Sequence, residues 1–488
     1  MFVSRNSSLR VSNGGLARAL ALVAAFACAG ACGSDSGPTS PPSPAPGTTP
    51  FPPGDPSSLN PYLVRDIRPG AEASMSDPYA GNFVPWGRRL LFVADDGVHG
   101  LELWETDGTT TGTRLLADMC PGPCSSYPIG FQVLGEEILF QAMDDPHGQE
   151  LWSTDGTTAG TRLVRDFRPG PDSGAPWPVR LRDQVLLDVL GPEYSRELWT
   201  TDGTAAGTRF VVVIEPPGSS GAHGRLTRAG NLVFFDADDG VAGSELWVTD
   251  GTDAGTRLVR DVLPGPDSGY SGGGRALGDL YLFQGSGGDG GRTLWRSDGT
   301  RTGTFSLGVV LPPYGWALTG LGDEFFFAAG PGWEERELWK SNGRKRGDAR
   351  VAPIEPAVAT VYTAVAANGL LYLAGAEGDH GEELWATDGT PEGTALVRDV
   401  NPGSGSSRPR GFFTAGSLVL FRASDPAHGT ELWASDGTAA GTRLVGDIHP
   451  GPGWVSTSDG PGAACGDLVM FAASDGSSGV ELWAWRLR

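Results

Sequence analysis

One short sequence, Glu-Leu-Trp-x-x-Asp-Gly-Thr, returns down the chain, and its Trp falls at Trp104, Trp152, Trp199, Trp247, Trp295, Trp339, Trp385, Trp433 and Trp483. The intervals are 48, 47, 48, 48, 44, 46, 48 and 50 residues. A regular period of 20–50 residues is the mark of a solenoid, a propeller or an array. The 488 residues are therefore read as one small unit repeated, not as several unrelated domains.

The unit is clearest at 150–170. Leu151 and Trp152 occupy adjacent positions, which in a strand point to opposite faces, so burying both requires cover on both sides of the sheet. Asp155-Gly156 then turns the chain, because Asp accepts from its own downstream backbone and Gly tolerates positive φ. Asp107, Asp202, Asp250, Asp298, Asp388 and Asp436 open the matching turns. Leu163, Val164 and Phe167, with charges between them, make a returning strand, and the stretch predicts a β-hairpin. Two further strands complete the unit, as at 129–134 with 137–142 and at 411–414 with 418–423. Four short strands in about 48 residues predict one propeller blade. Its Leu-Val-Arg-Asp strand is expected outermost, where charge discourages edge pairing.

The ends of the repeat complete one another. Tyr62-Leu63-Val64-Arg65-Asp66-Ile67 supplies a second half with no first, and Glu481-Leu482-Trp483 supplies a first half with no second. Residues 59–488 are thus predicted to be all-β: a single β-propeller of about nine four-stranded blades, closed by pairing of the N-terminal strand with the C-terminal blade. Nine exceeds the common four to eight. An open solenoid would carry atypical capping repeats, and two rings would need a second closure inside the chain. Consensus weakens around 285–356, where Thr293 replaces Glu, Asn342 replaces Asp, and Gly347-Asp348 replaces Gly-Thr.

Residues 1–31 are set aside before folding is considered. Arg5, Arg10 and Arg18 precede an apolar run from Leu20 to Ala29 that is too short to span a bilayer. Small residues then lead into Cys32. The segment resembles a bacterial lipoprotein signal, which implies lipidation of Cys32; Cys28 is a second candidate, and an ordinary secretory signal or a retained anchor are the alternatives. Residues 32–58, rich in Pro, Ser and Gly, are expected to form an extended tether reaching on the order of 80 Å.

Loss of 1–31 leaves 33 basic against 58 acidic side chains, a net −25. Such a balance argues against nucleic acid as a partner, since phosphate binding needs clustered Lys and Arg. Cys120 and Cys124, in Cys-Pro-Gly-Pro-Cys, could close a small disulfide loop in an oxidising compartment. A metal knuckle there would lack a second Cys or His pair, and Cys465 is expected to be a small buried residue.

Candidate chemistry is repeated rather than singular. Glu102, Glu150, Glu197, Glu245, Glu337, Glu383, Glu431 and Glu481 precede Leu-Trp. Paired carboxylates serve acid–base and glycosidase chemistry, but a catalytic group should stand once in a privileged place. Repetition favours structural roles, with Asp capping the turn and Glu bonding backbone at the strand start. A second set (Asp95-Asp96 with His99, Asp144-Asp145 with His147, Asp238-Asp239, Asp379-His380, Asp425 with His428, and Asp475) lies on Gly-bearing loops. Ca²⁺ is the ion such oxygens could ligate, yet no copy has a full ligand set in register, so turn formation is the expected role. No metal or cofactor is assigned. No phosphate-cradling glycine loop is expected, since no helix follows for one to open. Trp86, Trp177, Trp316, Trp333 and Trp454 lie outside the motif and could stack on sugar or peptide, though core packing is the simpler reading.

The recurring Glu-Leu-Trp-x-x-Asp-Gly-Thr resembles the ELWxxDGT repeat family of bacterial exported proteins, some of which carry a hyalin-like label. The resemblance covers nearly all of 62–488 and implies a secreted or cell-surface setting. It brings no established activity. The resulting expectation is a propeller lipid-anchored at the outer membrane or cell surface, binding a surface protein or glycan or serving a structural role. A polysaccharide-acting hydrolase or lyase is the alternative.

Overall fold

The computed structural model describes residues 60–75, 82–217, 226–269, 273–286, 291–312, 317–330, 337–352, 355–356, 364–452 and 462–487. The signal, Cys28, Cys32 and the tether lie outside the described residues, as do Trp316, Trp333 and Trp454. Among the described residues thirty-seven strands make nine antiparallel sheets, and the only helical turn is the 3-10 turn Pro192–Tyr194. Eight sheets have four strands and one has five, because Glu355–Pro356 adds to the sheet of Leu370–Ala376. The molecule is a nine-bladed β-propeller.

Blades 1 to 8 run 84–117, 129–165, 177–215, 227–260, 275–310, 317–352, 355–398 and 410–444. Each orders its strands by sequence from the inside outward, except that Glu355–Pro356 and Ala364–Ala367 share one edge in blade 7, and from blade 2 round to blade 1 the inner strands of successive blades lie beside one another. Blade 9 joins the two ends of the chain. It holds Ala463–Cys465, Leu468–Ala473 and Glu481–Arg486, with Tyr62–Arg65 outermost, Tyr62 opposite Ala484 and Leu63 opposite Trp483. Its inner strand Ala463–Cys465 lies against Val84–Trp86 of blade 1.

The adjacent Leu and Trp find their double cover between blades. Leu103, Leu151, Leu198, Leu246, Leu294, Leu338, Leu384 and Leu482 are fully buried, and Leu432 nearly so. The motif Trp is buried at 104, 152, 295, 385, 433 and 483 and half-buried at 199, 247 and 339. The second strands are apolar on both faces for the same reason, as at Leu90, Leu91, Phe92 and Val93. One core cluster crosses from blade 9 to blade 1, placing Leu468, Met470 and Leu482 with Leu90, Phe92 and Leu103.

A polar staple joins four of the outer strands, those carrying Arg65, Arg165, Arg260 and Arg398, to the next blade. Arg65 donates to the Thr113 carbonyl and stands 5.8 Å over Trp104. Arg260 repeats this on Thr304 and Trp295, and Arg398 on Thr442 and Trp433. A cation over an indole face adds attraction to the hydrogen bond. Because Arg65 belongs to blade 9 through its sheet pairing, its staple joins blade 9 to blade 1.

The Asp turn is rigid down to single atoms. Asp155 Oδ1 accepts from the Thr157 amide at 2.8 Å and its hydroxyl at 2.7 Å, and Gly156 takes φ +85°. Gly160 lies so close that a Cβ would stand 2.1 Å from the same carboxylate oxygen, and the second glycine of every described copy is similarly placed. Gly160→Ala is therefore expected to cost about 2–3 kcal/mol by overpacking. Most of that cost should vanish in an Asp155→Ala background, since the three atoms nearest that Cβ all belong to Asp155. Denaturant melts of the four proteins measure it, and strictly additive losses would contradict the contact.

Candidate functional site

Strand direction divides the ring into two rims. One carries the inner hairpin turns and the Asp turns; the Trp86 indole, beside an inner turn, donates to Asp155 O at 3.3 Å. The other carries the Asp/His loops and the long connections between blades.

On the connection rim, the repeated Glu reaches beyond its own strand start. Glu102 accepts from the Met119 amide at 2.9 Å, the Ser126 amide at 3.0 Å and the Ser126 hydroxyl at 2.6 Å. Glu150 holds Phe167 and Gly174, Glu245 holds Val262 and Gly269, and Glu383 holds Val400 and Ser407. The amides lie 17 and 24 residues downstream in each case. Glu431 holds His449 in the corresponding connection. The expectation of a local bond at the strand start is corrected: Glu102, Glu150, Glu245, Glu383, Glu431 and Glu481 pin the connection to the next blade. Burial pushes these carboxyls up, to about 7 at Glu102, Glu150, Glu245, Glu431 and Glu481, against the opposing pull of their donors.

Two copies depart from the pattern. Glu197 accepts from its neighbour's indole, Trp199 Nε1, at 2.8 Å, and Glu337 pairs with Arg350 at 2.7 Å. Where Thr293 stands in place of Glu, it too takes the indole N–H of its Trp, at 3.1 Å. Where Glu is committed to the connection, as before Trp104, Trp152, Trp385, Trp433 and Trp483, the buried indole N–H has no protein acceptor.

The Asp/His loops are turns. Asp96 accepts from the Val98 and His99 amides and from the His99 ring, and Asp425 does the same with Ala427 and His428. Asp239 and Asp475 cap the matching turns without a His. Cys120 and Cys124 are joined as a disulfide within the connection that Glu102 anchors. Among the described residues, the group able to surround an ion is these two cysteines with Asp145. Its sulfurs are bonded to each other. Cys465 is buried, and burial pushes its thiol up.

One acidic cluster is unrepeated. Arg196 donates to Asp188, to Glu215 Oε1 at 3.3 Å and to the Asp236 carbonyl at 3.0 Å, across the seam of blades 3 and 4. Asp236 and Glu215 are 2% and 3% exposed, and burial pushes the Asp236 carboxyl up to about 7. The group is not legible in the sequence, because its members are scattered over 49 positions and only the fold assembles them.

On the turn rim, the Asp residues are consumed by Thr hydroxyls and amides, as at Asp202 with Thr204 and Asp436 with Thr438. Blade 6 differs. Its turn reads Asn342-Gly-Arg-Lys-Arg-Gly-Asp348, with Asn342 Oδ1 accepting from the Arg344 amide at 3.0 Å. An open cleft of about 380 Å³ lies between it and blade 5. The lost consensus and the three cations are plain in the sequence, but only the fold sets them at one edge beside the blade 5 turn.

No family model and no curated protein match the chain. Among solved structures, similar ones include the computationally designed Ika8 protein, at 16% identity over 76% of this chain and 99% of that one, TM-score 0.40. Puromycin hydrolase matches at 15% identity over 79% of this chain, which spans 57% of that chain's length, TM-score 0.37. The beta-propeller domain of the Trilobed protease from Pyrococcus furiosus matches at 11% identity over 66% of this chain and 98% of that one, TM-score 0.34. The nine-bladed description rests on this chain's own strand order.

Proposed function

We propose that the chain is a cell-surface binding or structural module, lipid-anchored through Cys32 at the bacterial outer membrane or surface. The observation supporting a non-catalytic role is where the repeated carboxylates go. Blade after blade, Glu is spent on connection amides and Asp on turn amides, so neither set is offered to a substrate. What remains variable is the sequence displayed on the two rims, as befits recognition on a rigid scaffold. The hydrolase or lyase reading gains little from the unrepeated acids, since Glu215 and Asp236 sit buried around Arg196.

The full-length protein in non-ionic detergent is expected to retain a glycan or protein from envelope extract and to release no reducing ends from it. Steady release of reducing sugar would make it an enzyme. The anchor is tested separately: Cys32→Ser is expected to abolish labelling by radioactive palmitate and to shift the protein out of the membrane fraction.

A further inference from the structure

The blade 6 turn reverses the charge of its rim. Six of the other Asp turns carry net −1 or −2 over their seven residues, and that of blade 5 carries none because Arg301 offsets Asp298. In blade 6, Asn342 removes the usual acid and Arg344, Lys345 and Arg346 bring the turn to +2, Asp348 included. Arg301, Arg344, Lys345 and Arg346 are all exposed, and none makes an ion pair with an acid among the described residues. On a chain of net charge −22, four such cations on neighbouring turns stand out from the paired arginines elsewhere. Beneath them, Arg296 is held by Asp298 at 3.0 Å and by the Gly303 and Gly343 carbonyls, and it lines the cleft with Arg344, Asn342 and Asp323.

We propose that this edge of blades 5 and 6 binds an acidic polysaccharide through its sulfate or carboxylate groups. Guanidinium forks match both anions bidentately. A flexible chain can lie along this sector alone, whereas a flat anionic bilayer would also meet the acidic turns that share the rim. Nucleic acid would need a free aromatic face for its bases. The aromatic ring here, Phe305, has the Arg296 guanidinium at 5.1 Å and the Lys345 ammonium at 5.0 Å from its centroid. The site rests on the binding-module reading and gives it a ligand class.

The test uses the full-length protein in non-ionic detergent with heparin, polygalacturonate and neutral dextran at low salt. Retention by heparin or polygalacturonate but not dextran is expected; binding of polygalacturonate shows that carboxylate suffices, and binding of heparin alone shows that sulfate is required. The variant Arg344→Thr/Lys345→Ala/Arg346→Ala restores a neighbour-like turn. It should melt as wild type yet bind on the order of tenfold or more weakly, with a salt dependence shallower by about three charges. Wild-type-like binding by the variant overturns the site, as does failure of wild type on both polyanions. Tighter, equally variant-sensitive binding of single-stranded DNA or anionic vesicles overturns the ligand class. If neither polyanion binds but another envelope glycan or protein does, the site falls while the binding-module reading stands; if nothing binds, both fall.

Discussion

Glu481→Ala is expected to destabilise the ring by about 3–5 kcal/mol, among the largest effects of any single carboxylate here. Glu481 is fully buried and accepts from the Ile67 amide at 2.8 Å, the Ser74 amide at 3.0 Å and the Ser74 hydroxyl at 2.7 Å. Those donors come from the opposite end of the chain, 414 and 407 residues away. Removing the carboxylate strands the Ile67 amide in the interior, leaves Ser74 only its bonds to the Val480 carbonyl, and releases the segment that leads from the outer strand of blade 9 into blade 1. Early proteolysis within 66–75 should accompany the lowered melting point. Glu337→Ala is the control: its carboxylate is 34% exposed and meets Arg350 at the surface, so about 1 kcal/mol or less is expected. Equal effects of the two substitutions would show that the connection anchors do not hold the ring.

Stability is expected to rise as pH falls from about 8 to about 5, the reverse of simple acid denaturation. Burial places five connection glutamates near 7 in the folded ring, against 4.5 as the ordinary value. Between those values the folded chain binds more protons than the unfolded chain, so protons favour folding. The stabilisation is fully present below 4.5 and is lost as pH rises through 7. His99, His147 and His428, held above the usual imidazole range by hydrogen bonds to Asp96, Asp144 and Asp425, act in the same direction. The turn carboxylates set the acid limit. Hydroxyls and amides of the following Thr hold Asp155, Asp202, Asp250, Asp388 and Asp436 below the usual carboxylate range. Asp475, despite its partial burial, is held at about 2 by Ser477 and Ser478. Their contribution is lost as pH falls below 3.8. Melting points measured from pH 3 to 9 should therefore peak near pH 4–6 and fall by several degrees by pH 8. A flat or rising profile from pH 5 to 8 would contradict the buried placement of the glutamates.

The repeat was legible because its physics is local. Adjacent Leu and Trp demand cover on both faces, and Asp-Gly-Thr demands a turn, so blade, strand count and period follow from the residues themselves. The second glycine was visible as a repeat but not as a contact, since its reason is the Asp carboxylate folded back against it. The partners of Glu102 or Glu383 were not legible. They lie on a connection of variable sequence, and a carboxylate before Leu-Trp looks the same whether it meets its own strand or a backbone 24 residues on. Glu197 and Glu337 show the limit of the motif, since the same letter there meets an indole or an arginine. The Arg196 seam and the cationic edge of blades 5 and 6 depend on which blades are neighbours, which a period alone does not specify.

A cross-link between the chain ends tests most directly whether one sheet holds both of them. Tyr62 and Ala484 are opposite partners in blade 9. In a Tyr62→Cys/Ala484→Cys variant, mild oxidation is expected to join the two peptides nearly quantitatively within the monomer and to raise the unfolding midpoint. Two thiols that stay free, or that pair only between molecules, would mean that the ring is not fastened there.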